Sequence, residues 1–302
     1  MHISPQVFWP YFAGGAAACI GLVRKRSALR HARGLGVLFV LAPVFIAIGM
    51  AIFGGDHLVA PKTVAFVVPK WMPWREFWAI FVGLALEAAA LGLSSGIQAT
   101  LAARLLGGMI FCFALLVFAP LWLSAPANSV FVVLLLRDTM LGWSFMAFAA
   151  RGSPADPTAN LRRPPSAVVD VARFVCAVGI GTYGVMQLMH PLTAPGFPPE
   201  GGSVKVLPGW MPWHSLWGCL SGAIFALCAL GLLSRRTARG SAMVLGVTMV
   251  VITLAVYVPL TTAKAADIDE GLNYVAIHFA LAGAMLGLSA ACRNTAPGAK
   301  AG

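Results

Sequence analysis

The chain contains few charged residues. Lys, Arg, Asp and Glu make up 10% of its 302 residues, and hydrophobic residues make up 59%. A soluble domain usually contains roughly a quarter charged residues, so an ordinary soluble fold is excluded. The apolar runs are about 20 residues long, enough to cross a hydrocarbon core of about 30 Å. We therefore expect an all-α, polytopic transmembrane helical bundle whose surroundings are a lipid bilayer.

Motifs of soluble enzymes and of redox proteins are also missing. The sequence has no P-loop, no G-x-G-x-x-G after a strand, no H-E-x-x-H and no C-x-x-C-H. Its six cysteines form no C-x-x-C pair, which argues against a disulfide framework and against thiol–disulfide exchange. No metal site is predicted, and haem is not expected because no second ligand at helical spacing accompanies any histidine.

Hydropathy predicts nine spans. They are residues 7–23, 37–55, 76–95, 104–124, 129–149, 167–189, 214–233, 241–260 and 272–291. If the segment 24–33 is cytoplasmic, fourteen Lys and Arg residues lie on that side and five on the other. This positive-inside bias places the N-terminus outside and the C-terminus in the cytoplasm. Because the bias accounts for the net charge of +11, no nucleic-acid partner is expected.

A motif occurs twice in the chain, at residues 68–74 and 207–213, with an offset of 139 residues. A repeat of this length indicates one structural unit used twice. We predict a first four-helix unit at 37–150 and a second at 167–291, in the same orientation. The remaining segments are the anchor helix with its basic loop (1–36), a cytoplasmic linker (151–166) and a cytoplasmic tail (292–302). The anchor is expected to be uncleaved, because its basic cluster follows the apolar run.

The repeated W-M-P-W sequence is interpreted as a helix start in the outer membrane interface. Proline is tolerated at the first helical position, and tryptophan favours the headgroup level. The outer mouth then contains four Trp and three His residues: Trp71, Trp74, Trp210, Trp213, His57, His190 and His214. His57 and His190, at an offset of 133, are taken as equivalent ends of the first helix of each unit. The alternative is a lid or a ligand-facing aromatic wall.

Ionisable residues inside spans are functional candidates because burying them in a membrane is costly. Glu87 lies near the middle of its span, and its counterpart in the second unit is Ala226. Arg137 aligns with His278 at an offset of 141, which suggests a polar layer common to both units. Adjacent residues on a helix do not face each other, so we expect Arg137 to pair with Glu87 rather than with Asp138.

A second charged pair is expected near the cytoplasmic start of the sixth span. Asp170 and Arg173 lie three residues apart there, a spacing that places them on one helix face. We predict a local ion pair.

Each half of the chain resembles the DoxX-like membrane proteins, over about 240 residues. The resemblance rests on a histidine ending the first helix, a Pro-x-Trp-x-Pro segment and a Gly-x-x-x-Glu sequence. The first half contains Gly55-Asp56-His57, Pro69-Lys70-Trp71-Met72-Pro73 and Gly83 with Glu87; the second contains His190, Pro208-Gly209-Trp210-Met211-Pro212 and Gly222, with Ala226 in place of the glutamate. Some DoxX-like proteins are linked to quinone-coupled oxidation of sulfur compounds or to thiol-stress complexes.

The resemblance implies a bacterial inner-membrane protein, a membrane subunit of a quinone-linked redox system with a redox protein partner. Glu87 would then contact a proton or a quinone headgroup. Two other functions stay open. One is a small-molecule or lipid transporter with its path between the two repeats and its cargo at Glu87 and Arg137. The other is a membrane scaffold that recruits a periplasmic partner through the outer loops.

Overall fold

The computed structural model describes residues 5–151, 166–193, 212–259 and 268–292. Within these ranges the chain is helical and contains no strand, which confirms the all-α class. The helices are α1 (Pro5–Arg24), α2 (Arg26–His31), α3 (Gly36–Val59), α4 (Pro61–Val64), α5 (Arg75–Ser95), α6 (Ala99–Phe113), α7 (Ala119–Ser124), α8 (Ser129–Ala150), α9 (Ser166–Met189), α10 (His214–Leu233), α11 (Ala238–Ile252) and α12 (Ile268–Ala291). Two five-residue π-helical segments, Ala114–Phe118 and Thr253–Tyr257, follow α6 and α11.

Nine helical stretches of the described chain are long and apolar enough to cross a membrane, and each coincides with a predicted span. The chain is therefore a multi-pass membrane protein. The helix α3 continues to Val59, four residues beyond the predicted span. His57 lies in its last turn, as expected of a residue that ends this helix.

The repeat is visible in the lengths of the helices. Both α3 and α9 have 24 residues, α6 and α11 have 15, and both π-helical segments have five. The start and end of α9 are those of α3 shifted by 130 residues, from 36 to 166 and from 59 to 189. An offset of 130 before the outer loop and 139 after it means that this loop is nine residues longer in the second unit.

The two units are packed into each other. The first helix of each unit lies against the last helix of the other: α3 packs on α12, and α9 packs on α8. The last helices, α8 and α12, also contact each other. Glycines allow these approaches, since Gly49 contacts the backbone of Ala276 and Ala280 on α12, and Gly179 contacts Met140 on α8. Small residues at such positions are typical of helix interfaces in membranes.

The nine spans differ in the fraction of their residues that is buried inside the bundle. Of the apolar window of α12, 94% is buried, against 28–50% for the other eight spans, so α12 is the central helix of the bundle. By contrast, α1 lies at the edge, against α3 and α5. The Nε of Arg24 donates to the carbonyl of Ser95 at 3.3 Å, so α1 and α5 end on the same side and run parallel.

Candidate functional site

Two titratable side chains lie one helical turn apart along the interface between α3 and α5. The carboxyl group of Glu87 lies against Gly54, where a Cβ would be 2.9 Å from Glu87 Oε1. In the same way the Cβ of His57 lies 2.9 Å from where a Cβ on Gly83 would be. Each glycine thus makes room for a side chain of the facing helix. We call these four residues the His57–Glu87 seam; His57 is nearer the end of the bundle where α5 begins.

The two side chains of the seam differ in their hydrogen bonds. Nδ1 of His57 donates to the carbonyl oxygen of Phe53 at 2.7 Å, so Nε2 is the basic nitrogen of the neutral ring. Glu87 is half-buried and has no hydrogen bond or ion pair to any residue that the structure describes. A carboxyl group left in this state within a span is available to a ligand or a proton.

Arg137 pairs with its neighbour in sequence. Its Nε donates to Oδ1 of Asp138 at 2.8 Å, so the predicted Glu87–Arg137 pair is wrong. The reason is that the spacing rule describes Cβ directions, whereas the arginine side chain is long enough to fold back to the adjacent carboxylate. The guanidinium also lies 5.6 Å from the centroid of the Phe118 ring. Tyr183, on α9, interacts electrostatically with both charged groups. We call these four residues the Arg137–Asp138 cluster.

A second polar cluster lies between α3, α11 and α12. The rings of Tyr257 and His278 are 4.4 Å apart, and Tyr257 stacks on Tyr274 at 5.2 Å. Nδ1 of His278 donates to the carbonyl oxygen of Tyr274 at 2.8 Å. The hydroxyl of Tyr257 is buried and has no hydrogen-bond partner within the described ranges.

The two clusters occupy equivalent positions in the repeat. Gly107 packs against the carbonyl of Gly142, and Gly246 packs against the carbonyl of Ala282, so the last helices correspond at an offset of 140. The counterpart of His278 is therefore Asp138, and the alignment of His278 with Arg137 is wrong. That alignment superposed Gly142 and Gly283, which contact different helices.

Other members of the clusters correspond as well. Phe118 and Tyr257 each end a π-helical segment, and Tyr183 corresponds to Phe53 at the offset of 130. At each interface, one of these two aligned positions is a tyrosine, Tyr183 in one and Tyr257 in the other. Each interface also has an ionisable residue at the same position of the last helix, Asp138 or His278. A π-helical segment at the same place in both units is notable because such segments are frequent at functional sites.

The second unit lacks both ionisable groups of the seam. At the offset of 130 the counterpart of His57 is Gln187, so the equivalence with His190 is wrong; His190 lies after the end of α9 and is exposed. Matching one histidine to another gave the wrong register of the repeat, whereas the glycine contacts establish the offset of 130. Gly184, the counterpart of Gly54, would place a Cβ 2.7 Å from the nitrogen of Ala226. Backbone contact therefore fills the space that Glu87 occupies in the first unit.

The tryptophans of the outer segments are exposed, at 68% for Trp71, 79% for Trp74 and 74% for Trp213; Trp210 lies outside the described residues. The helices begin after the motif, at Arg75 and His214, and the preceding Trp74 and Trp213 have left-handed φ values of 51° and 55°. The proline is thus not at the first helical position, as predicted, but two residues before it. Residues 70–73 before Trp74 form turns and bends, and the left-handed tryptophan is the last residue before the helix begins.

Aromatic side chains mark one end of the bundle. The sequence F-W-x-x-F occurs on α1 and α5, and the first two rings are 5.3 Å apart in Phe8–Trp9 and 5.4 Å apart in Phe77–Trp78, both at 76°. Because the two helices run parallel, these rings form a band at one level. Such bands are typical of the membrane–water interface.

The predicted pair Asp170–Arg173 is confirmed, with 2.7 Å between Oδ1 and Nη1. Arg235 binds the same carboxylate. Arg173 also donates to the carbonyl groups of Leu232 at 3.0 Å and Leu233 at 2.9 Å. The side chain therefore satisfies backbone acceptors at the end of α10, which is a structural role.

The chemistry open to the His57–Glu87 seam and to the Arg137–Asp138 cluster is the binding of polar groups and the exchange of protons. Over the residues that the structure describes, no three His, Cys, Asp or Glu side chains lie close enough to hold a metal ion. No family model, no curated protein and no solved structure matches the chain.

Proposed function

We propose that the chain is a bacterial inner-membrane protein that binds the headgroup of a lipid-soluble quinone at the His57–Glu87 seam. It would serve as a membrane subunit of a quinone-linked redox system, as its resemblance to the DoxX-like proteins implies. The observation that supports this most is the unpaired carboxyl group of Glu87, one turn from a histidine, on the half-exposed side of α5.

Glu87 and His57 would form a hydrogen bond to the quinone headgroup and exchange protons with it. A quinone headgroup presents carbonyl oxygens, and its conversion to quinol takes up two electrons and two protons. The electrons come from a redox protein partner. Glu87 in its protonated form donates a hydrogen bond to a carbonyl oxygen and delivers a proton there. Nε2 of His57, nearer the outer end, accepts a proton from the aqueous side and passes it to Glu87, which is thereby protonated again.

The proposed topology gives this route a direction. With the N-terminus outside and the C-terminus in the cytoplasm, the end of α3 that contains His57 faces the periplasm. Protons would therefore exchange with the periplasmic side. Because Gln187 and Ala226 replace both groups in the second unit, one quinone would bind per chain.

A binding experiment in nanodiscs tests the proposal. Decylubiquinone is titrated into the purified protein, and bound quinone is measured after separation of the nanodiscs. Glu87→Ala is expected to weaken binding about tenfold, because it removes the donor of the hydrogen bond to the quinone carbonyl. His57→Gln, which copies the second unit, should leave binding in place but slow proton uptake when the quinone is reduced by an added reductant.

Glu76→Ala is the matched control, because Glu76 is an exposed carboxyl group in the first turn of the same helix. Its quinone binding should equal that of the unaltered protein. Equal binding by the Glu87→Ala variant would refute the quinone site.

Transport of a small molecule or lipid between the two units is a second candidate. It is favoured by the position of both polar clusters, each at an interface between units and beside a π-helical segment. Uptake by proteoliposomes under an imposed pH gradient tests it. Transport requires uptake that collapses in Asp138→Asn, while Glu76→Gln remains active.

A further inference from the structure

Among the described residues, the guanidinium of Arg137 forms a hydrogen bond through Nε alone. Its Nε is bonded to Asp138, whereas neither Nη has a hydrogen-bond partner among residues in the described ranges. The side chain of Arg137 is 20% exposed and that of Asp138 is 4% exposed. Arg137 is thus the more accessible member of the pair, and its two Nη groups hold the donors that no described residue uses. Together they form the planar fork that binds carboxylates and phosphates through two parallel hydrogen bonds.

Charge limits what this fork can bind. Arg137 and Asp138 together are neutral, and a bound anion would leave an excess negative charge inside the membrane, which is costly. The cost disappears if the ligand enters as an acid and its proton moves to the carboxylate. The guanidinium then neutralises the ligand anion, and the carboxyl group of Asp138 is uncharged.

We propose that the Arg137–Asp138 cluster is a binding site for amphipathic acids with a single carboxylate or phosphate head, taken up together with one proton. The exchange balances: an acid HA gives its proton to an oxygen of Asp138, and its anion A⁻ accepts two hydrogen bonds from the Nη groups of Arg137. Nε of Arg137 continues to donate to the other oxygen of Asp138, and no other reactant is needed. Neither the quinone site nor transport is assumed.

The surroundings of the cluster support proton-coupled binding at this carboxylate. Arg137, on its own helix, and Tyr183, on α9, are the titratable groups in electrostatic contact with Asp138 across the described chain. The π-helical segment packed against α8 contributes the ring of Phe118, which bears no charge. Among the described side chains of α6, α7 and α12, no charged group joins that contact. The hydroxyl of Tyr183 is directed to the carbonyl of Val133 at 3.5 Å, a long hydrogen bond that leaves it able to turn towards a ligand.

Only one such site is expected per chain. At the offset of 140 the second unit has Ile277 in place of Arg137 and His278 in place of Asp138. The equivalent interface therefore has no guanidinium fork.

Calorimetry with octanoate tests the proposal on the full chain in phosphatidylcholine nanodiscs. Titrations in two buffers of different ionisation enthalpy give the number of protons taken up per anion. We expect one octanoate and one proton per chain. Arg137→Gln should weaken binding about tenfold or more, since hydrogen bonds to a charged group are lost. Arg75→Gln, at an exposed arginine that starts α5, is the control and should bind as the unaltered protein does.

Asp138→Asn keeps the guanidinium and the shape of the carboxyl group, and so tests the proton directly. This variant should bind octanoate with no proton uptake, and its affinity should not change with pH. Unchanged affinity in a folded Arg137→Gln variant, or one proton per anion in Asp138→Asn, would overturn the proposal. Octyl phosphate and acetate show whether the ligand comes from the lipid phase or from water. Binding of octyl phosphate and octanoate but not of acetate indicates a ligand from the lipid phase. Equal binding of acetate indicates an anion from water.

Discussion

Glu87 fills the space that a side chain on Gly54 would occupy, with its Oε1 2.9 Å from an ideal Cβ at that position. In the second unit Ala226 and Gly184 meet directly through their backbones. The sizes of these two residues are therefore coupled across the α3–α5 interface. A large residue on one helix requires glycine on the other.

Gly54→Ala is expected to destabilise the protein by about 1–3 kcal/mol, because the new methyl group overlaps the Glu87 carboxyl group. The double variant with Glu87→Ala should recover most of this loss, since it removes the Glu87 side-chain atoms that the new methyl group would overlap. Thermal unfolding in detergent measures both. Gly108→Ala is the control, as nothing lies within 4 Å of its added Cβ, and it should be neutral or slightly stabilising. Independent, additive effects of the two substitutions would contradict the coupling.

Asp138→Ala is expected to cost about 3–5 kcal/mol, because it leaves the Arg137 guanidinium without its ion-pair partner inside the bundle. The double variant Arg137→Leu/Asp138→Ala should be more stable than Asp138→Ala alone. Unfolding midpoints of the three proteins provide the comparison. If the double variant is the least stable of them, the two charges are not compensating each other.

Nε1 of Trp217 donates to the carbonyl of Pro212 at 3.1 Å. Trp217→Phe removes this hydrogen bond and is expected to lower the free energy of unfolding by about 0.5–1.5 kcal/mol. Trp78, its counterpart, has a buried Nε1 without a partner in the described chain. Trp78→Phe removes that unsatisfied donor and should therefore be neutral or stabilising. The difference between the two unfolding midpoints checks the prediction, and an equal loss in both variants would refute it.

The thiol of Cys292 should react slowly with iodoacetamide at neutral pH. Burial raises its pKa to about 11, so the reactive thiolate is scarce and the rate should rise about tenfold per pH unit until that value. A variant with Cys292 as its single cysteine allows the rate to be followed by mass spectrometry. The same variant unfolded in detergent is the control, with a profile that levels off near the usual thiol pKa of about 8.5. A plateau at that pH in the folded protein would contradict the prediction.

The sequence was sufficient to predict the membrane class and the nine spans, because apolar runs of span length have one common solution in a bilayer. It also indicated the repeat, and the pair Asp170–Arg173 follows from helical spacing alone. These features depend on local pattern. The domain boundaries, the quinone and the partners remain predictions.

The register of the repeat could not be obtained from residue identity. Matching His57 to His190 ignored the glycines at 49 and 54, which recur at 179 and 184 and mark the close helix contacts. This pattern is present in the sequence and would have given the correct offset. The Arg137–Asp138 bond had no such signal, because it depends on how one long side chain folds in its tertiary surroundings. The roles of Phe118, Tyr183 and Tyr257 depend likewise on contacts between distant helices.

The central position of α12 has a consequence for biosynthesis. Chains fold as they are synthesised, the N-terminal parts first, and α12, around which the bundle is arranged, is synthesised after the other eight described spans. Until it arrives, α3, α8 and α11 expose to lipid the faces that α12 later covers. The centre of the bundle is therefore completed only after the helices around it have been made. A chain that stops before α12 would lack the helix on which α3, α8 and α11 pack.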